Sequence, residues 1–380
     1  MSENNLNIQM VDLKSQYMKI KPQVDQAIND VLSSTQFING EHVKSFQNEL
    51  AAYLDVKHVI TCANGTDALQ ISMMALGLKP GDEIITPSFT YIATTEVIGL
   101  LGLKPVFVDC NPENFNISVD EVEKAITKKT KAIVPVHLFG QSSDMKSITS
   151  LAKKYNLFVI EDNAQAIGSD YLGFNQPQKT GTIGNIGCTS FFPSKNLGCF
   201  GDGGAMMTND DELAIKLRMI ANHGQSKRYY HDIVGCNSRL DNIQAAVLRI
   251  KLKELDQYIL NRQKAANYYD QNLKDLDQLT LPFRNLDSNH VFHQYTLKLD
   301  DSIVRDELIQ YLAEKNIPAM VYYPVPAHRQ KMFSKIPNSY GNMKVTNWLS
   351  SRVFSLPMHT ELSTLQQDYI IENISNFLNK

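Results

Sequence analysis

Lys195 is the residue of this chain best suited to act as a nucleophile. It lies in Thr189-Ser-Phe-Phe-Pro-Ser-Lys195-Asn-Leu-Gly-Cys-Phe-Gly-Asp-Gly-Gly204, a stretch of aromatic, small and glycine residues. Such company implies partial burial, which disfavours the ammonium, lowers the amine pKa and frees the nitrogen to attack a carbonyl. The glycines let backbone approach a bulky ligand closely. The segment by itself equally describes a surface lysine on a glycine-rich turn, so the case rests on what accompanies it. Leu157-Phe-Val-Ile-Glu-Asp162 reads as a buried strand with a carboxylate at its C-terminal end, the edge where open α/β sheets bind ligands. Cys62-Ala-Asn-Gly65-Thr66-Asp-Ala-Leu69 follows a strand and opens a helix. Free amides there, with the Thr66 hydroxyl and a second one from Ser190, suit a phosphate. Pro87-Ser-Phe-Thr-Tyr91 also follows a strand, and Tyr91 can lie flat on a planar ring. Taken singly, these pieces read as a helix-capping Asp, an Asn/Thr cap and a core aromatic.

The elements that must position these groups show as an alternation. Short apolar runs occur at His58–Thr61, Glu83–Thr86, Pro105–Asp109, Ala132–Val136 and Leu157–Ile160, with helix-compatible segments such as Thr66–Leu76, Val119–Ile126 and Met145–Tyr155 between them. That pattern predicts an α/β fold of parallel strands with crossover helices, the strands covered on both faces. From Leu240 to Leu273 the spacing of Ile243, Ala246, Val247, Ile250 and Leu255, uninterrupted by Pro or Gly, predicts one long helix. The remainder is less regular and carries Pro318, Pro324, Pro326 and Pro357. The division expected is a large domain over 1–250, N-terminal segment included, and a linking helix with a smaller α+β domain over 251–380.

Among 380 residues, 37 basic and 40 acidic side chains leave a net charge of −3, which offers no general attraction for nucleic acid or an anionic membrane. The longest apolar candidate, Val97–Leu103, is broken by Gly99 and Gly102 and falls far short of a bilayer span. The N-terminal MSENNLNIQM is polar and unlike a signal peptide. Five scattered cysteines without a CxxC pair read as reduced thiols of a cytoplasmic protein. The nine histidines lack ligand spacing, so no metal site is expected.

Together the pieces make a phosphate cradle, a ring-stacking aromatic, a strand-end carboxylate and a lysine, which is the set that pyridoxal 5′-phosphate requires. The chain also resembles the DegT-type nucleotide-sugar aminotransferases, fold-type I pyridoxal-phosphate enzymes working as homodimers. The matching stretches are Ala63–Leu69, Pro80–Thr94, Glu161–Gln165, Ser190–Lys195, Gly201–Gly204 and Gly235–Ala246. The resemblance implies that Lys195 holds the cofactor covalently and moves a proton between substrate and cofactor. It implies that Asp162 pairs with the pyridinium nitrogen, that Gln165 sits near the ring hydroxyl, and that Tyr91 stacks on the ring. Gly65, Thr66 and Ser190 would hold the phosphate, joined by Asn237 of the neighbouring subunit. Relatives with histidine at the lysine position are dehydratases, so lysine here implies transamination. Asn163 stands where alanine is usual.

Tyr229-Tyr-His231, Asn237-Ser-Arg-Leu-Asp241 and Gln244-Ala-Ala-Val-Leu248 resemble the subgroup that aminates C3 of a keto sugar such as UDP-2-acetamido-3-oxo-glucuronate, for bacterial surface polysaccharide. L-glutamate is the amino donor this implies. Arg239 would suit a carboxylate or, equally, an interface salt bridge. Tyr322, Tyr323 and His328 are candidates to face the substrate. The rival readings are amination at C4 or of a dTDP sugar, a sugar dehydratase, and a non-catalytic regulator. A nicotinamide enzyme is disfavoured because no GxGxxG follows the first strand.

Overall fold

The computed structural model describes residues 6–379, so the first five residues of the polar N-terminal decapeptide lie outside the described residues. Four of the five Val/Ile runs become interior strands and the first, at His58, an edge strand of an eight-stranded sheet. Its spatial order is His58–Cys62, Gly204–Thr208, Ile186–Ser190, Phe158–Asp162, Thr130–Ile133, Glu83–Pro87, Lys104–Val108 and Ser339–Tyr340. Neighbours run parallel except for Gly204–Thr208, which is antiparallel to both of its own. Side chains alternate between the two faces of a strand. Ile84 accordingly joins Ile60, Val97, Ile160 and Leu217 in one core, while Ile85 joins Val106, Ile133, Ile148 and Val159 in another. Helices Gly65–Ala75, Ala93–Leu100 and Asp211–Ala221 cover the first face, and Val119–Ala125 and Met145–Tyr155 cover the second. With both faces covered, the strands' carboxyl ends are where a ligand can enter, and Cys62, Pro87, Asp162 and Ser190 all stand there.

A second core lies on a three-stranded antiparallel sheet of Leu279–Thr280, Tyr295–Leu299 and Val353–Leu356. Tyr269, Leu297, Leu312, Phe354 and Ile370 pack there, and Ile8 of the N-terminal segment joins them. The two parts are stitched together, since Ser339–Tyr340 adds to the large sheet in parallel beside Val106 and Phe107.

The expected single helix from Leu240 to Leu273 is two helices, Asn242–Lys253 and Leu255–Leu273, separated at Glu254 (φ −96°, ψ −6°). The segment serves two cores, the change falling within the second helix, after Leu255 and Ile259. Ala245, Leu248 and Leu252 pack with Phe46 and Leu50, whereas Ala265, Ala266, Tyr269 and Leu273 belong to the second core. The five cysteines are free thiols, all but Cys236 buried. Among the described residues no helix is long and apolar enough to cross a membrane.

Candidate active site

The strand Phe158–Asp162 ends in two adjacent carboxylates, which the pleat sends to opposite sides. Glu161 is fully buried and saturated with donors. It accepts from the amides of Ile183 (2.7 Å), Gly184 (2.6 Å) and Gly181 (2.8 Å) and from His137 Nε2 (2.8 Å). The Ser143 amide donates to His137 Nδ1 (3.1 Å), which assigns the ring proton to Nε2 and so leaves a neutral imidazole donating to Glu161. This lattice pins the strand end. Asp162, one residue on, accepts from Thr94 Oγ1 at 2.7 Å and from the Ala164 amide at 3.1 Å.

Gln165 is oriented from both ends. Its Oε1 accepts the Phe139 amide (2.7 Å) and its Nε2 donates to Tyr323 Oη (2.9 Å). Burial pushes the Tyr323 phenol upward, so it stays protonated at neutral pH. The Tyr323 ring lies 6.2 Å from that of Tyr91, which stands 57% exposed at the cleft wall. Lys195 sits half-buried between Ser194 and the buried Asn196, whose side chain donates to Val291 O (3.0 Å). Burial lowers the Lys195 amine from 10.5 to about 8, opposed by the attraction of the Asp162 charge. An amine so depressed is partly free at neutral pH, as a nucleophile needs.

The helix Gly65–Ala75 starts beside this pair. Asn64 caps it by accepting the Asp67 amide (2.8 Å), which leaves the amides of Gly65 and Thr66 leading the helix. Ser190 presses so near that a Cβ on Gly65 would stand 2.7 Å from the Ser190 Cβ, and a Cβ on Gly204 would come within 2.4 Å of the Asn64 carbonyl. These two glycines are required by close approach. Ser238 Oγ accepts from the Ala63 amide (2.9 Å) and donates to Asp67 Oδ2 (2.6 Å), tying the next loop to the same helix start.

Contacts at the strands' carboxyl ends thus link Asp162 with Thr94 and, through charge, Lys195; Gln165 with Tyr323 and on to Tyr91; and Gly65, followed by Thr66, with Ser190. Asn237 and Arg239 are placed differently. Asn237 is exposed and its backbone pairs with Asn222, while Arg239 lines a separate cavity of about 240 Å³ with Asn39, Gln47, Thr61 and Arg218. Tyr322 is half-buried against the Phe89 cluster and bonded by Gln294. His328 is engaged by Ser88, with 2.7 Å between Nδ1 and Oγ, and its ring meets Tyr340 at 5.0 Å. Three features escaped the sequence reading. Thr94 lies inside a recognised stretch, yet nothing local says its hydroxyl reaches Asp162. The His137–Glu161 couple and the buried His293, driven neutral by burial and then by Lys195 and Arg262, carried no linear signal.

The donor set fits pyridoxal phosphate: an amine with lowered pKa, a fixed carboxylate, a helix start crowded against a serine, and an exposed aromatic face. With a mostly parallel sheet beneath them, these define a fold-type I pyridoxal-phosphate transferase. The chain belongs to the DegT/DnrJ/EryC1/StrS aminotransferase family, whose profile matches residues 18–375. Aminotransferases of this family depend on pyridoxal phosphate. The chain is 45% identical over 374 residues to a "Pleiotropic regulatory protein" of Geobacillus stearothermophilus, covering 98% of this chain and 99% of that one. It is 44% identical over 369 residues to the UDP-2-acetamido-2-deoxy-3-oxo-D-glucuronate aminotransferase of Pseudomonas aeruginosa, covering 97% and 100% respectively. Among solved structures, Bacillus subtilis NtdA with bound cofactor PMP is similar with a TM-score of 0.89 and 30% identity, over all of this chain and 87% of that one.

Proposed function

We propose that this aminotransferase moves the amino group of L-glutamate to C3 of a UDP-linked 3-oxo sugar, of which UDP-2-acetamido-3-oxo-glucuronate is the first candidate. The setting would be the making of bacterial surface polysaccharide, such as lipopolysaccharide O-antigen, by a cytoplasmic homodimer with shared sites. The likeness to the Pseudomonas aeruginosa enzyme supports the sugar. The observation that carries the chemistry is the Lys195 amine, lowered to about 8 in the same cleft as the doubly bonded Asp162 carboxylate.

Pyridoxal phosphate, when bound, supplies an aldehyde that condenses with amines and a protonated ring that absorbs the electrons of a carbanion. Lys195 Nζ would hold the group through its aldehyde and, as a free amine, would carry a proton from the donor Cα to the cofactor carbon in the first half-reaction and from that carbon to the sugar carbon in the second. Asp162 would hold negative charge against the ring nitrogen. Gln165 and Tyr323 would bound the ring-hydroxyl side, and Tyr91 would cover a ring face. Gly65 and Thr66 amides with the Ser190 hydroxyl would take the phosphate, and Asn237 would reach it from the partner subunit. Arg239 meets a carboxylate, and Tyr322, Tyr323 and His328 face the sugar from the smaller domain. That domain, 251–380, closes the cleft over the cofactor domain, 1–250.

A regulatory reading draws on the name of the Geobacillus relative. A sensor has no use for an activated lysine, so the catalytic reading is preferred. The test is a mass-spectrometric screen of UDP- and dTDP-linked 3-keto and 4-keto sugars with glutamate. An aminated UDP-3-oxo sugar is expected. Amination confined to a 4-keto or dTDP sugar would overturn the substrate, and no amination of any would overturn the activity.

A further inference from the structure

We propose that Thr94 is a positioning residue for the cofactor: its hydroxyl fixes the Asp162 carboxylate in the attitude in which its remaining lone pairs meet the ring nitrogen. This rests on the reading of Asp162 as that nitrogen's partner. Thr94 lies in the first turn of the helix Ala93–Leu100 and is wholly buried, and Asp162 is 6% exposed. A hydroxyl has one hydrogen, and three acceptors surround this one: Asp162 Oδ2 at 2.7 Å, Tyr91 O at 3.3 Å and Thr90 Oγ1 at 3.3 Å. The shortest contact leads to the only charged acceptor, and charge-assisted bonds are the strong ones. With that hydrogen committed, the buried Thr90 hydroxyl donates to the Thr94 oxygen. The result is a chain of two hydroxyls ending on the carboxylate, each bond polarising the next.

The Ala164 amide holds the other oxygen, so the carboxylate is fixed at both atoms and cannot rotate about its Cβ–Cγ bond without breaking one bond or the other. An ionised carboxylate offers about four lone-pair sites, and two of them are spent in this way. The same five residues, Thr90–Thr94, carry Tyr91. One turn of chain thus sets both the aromatic that covers the ring and the hydroxyl that aims its nitrogen partner. Without the hydroxyl, Asp162 Oδ2 would lose the donor that Thr94 supplies.

The experiment compares Thr94→Val, Thr94→Ser and Asp162→Asn. Pyridoxal-phosphate affinity of the apoprotein is measured by equilibrium dialysis. The pH midpoint of the near-visible absorption band and the separate kcat and KM values are measured on the holoenzyme. Losing one charge-assisted bond predicts roughly tenfold weaker cofactor binding in Thr94→Val, a displaced pH midpoint, and a lower kcat with the glutamate KM nearly unchanged. Thr94→Ser should restore all three, and Asp162→Asn should exceed Thr94→Val in each. If Val at this buried position prevents folding, Thr94→Ala takes its place. Wild-type affinity and pH midpoint in the hydroxyl-less variant would overturn the proposal, as would failure of Ser to rescue. Wild-type behaviour of Asp162→Asn would overturn the reading of Asp162 and the proposal with it.

Discussion

At the strand end that floors the cleft, the carboxylates on either side and the Gln165 amide are matched, whereas the buried side-chain oxygens of Asn163 and Asn196 have no partner. Glu161 takes four donors, Asp162 two, and Gln165 is held at both its oxygen and its nitrogen. The proposed rim differs in character: Tyr91, Phe192, Phe200, Tyr229, Tyr230 and Asn237 all stand exposed. The rim carries the apolar exposure typical of a surface that another molecule covers. The proposed homodimer would separate two jobs: a single chain would preset the chemistry, while the substrate side would wait on assembly.

The largest effect should come from the floor. Lys195→Ala should cut turnover at least about a thousandfold and abolish the near-visible absorption of the holoenzyme, since it removes the amine that feels the Asp162 charge. Turnover at wild-type rates would remove the basis of the contrast. The rim is tested by mixing. Lys195→Ala and Asn237→Ala chains are each expected to be impaired as homodimers. If Asn237 serves the partner's site, a hybrid dimer regains one intact site, and random exchange restores roughly a quarter of wild-type activity. Recovery of none would place Asn237 with its own chain's site.

A tenfold effect per pH unit is expected for cofactor capture by the apoprotein. The Lys195 amine is lowered to about 8, so below pH 8 acidification protonates it and removes the nucleophile, and above that pH the rate levels off. An unshifted lysine would give a rate still climbing toward 10.5. Stopped-flow absorbance across pH distinguishes the two. The smallest effect on chemistry, though not on stability, should follow Glu161→Gln. It replaces an acceptor oxygen with a donor group facing amides, at a cost on the order of 3 kcal/mol by denaturant titration. The folded fraction should still transaminate, because Glu161 faces away from the cleft.

Much of the site could be read from residue order because its parts stand at strand ends. Asp162 and Ser190 close strands, Gly65 and Thr66 open the helix after one, and Tyr91 follows another. A buried strand has a recognisable composition, and whatever follows its last residue must lie at the sheet's edge. The helix expected across Leu240–Leu273 failed at Glu254 for a complementary reason. Apolar spacing reports that a segment is helical, but not where it breaks or that its apolar residues pass from one core to another along its length.

Local residue order thus determined the strands, the four chemical pieces and the membership that the aligned motifs confer, since each is a property of a few consecutive side chains and their nearest backbone. Tertiary structure alone decided that Thr94 reaches Asp162 across 68 residues and Gln165 reaches Tyr323 across 158. It alone set Arg239 in a cavity apart from Lys195. Which hydroxyl meets which carboxylate depends on the spatial order of strands, and that order follows from how all the apolar faces pack together, a global balance that no short stretch of sequence contains.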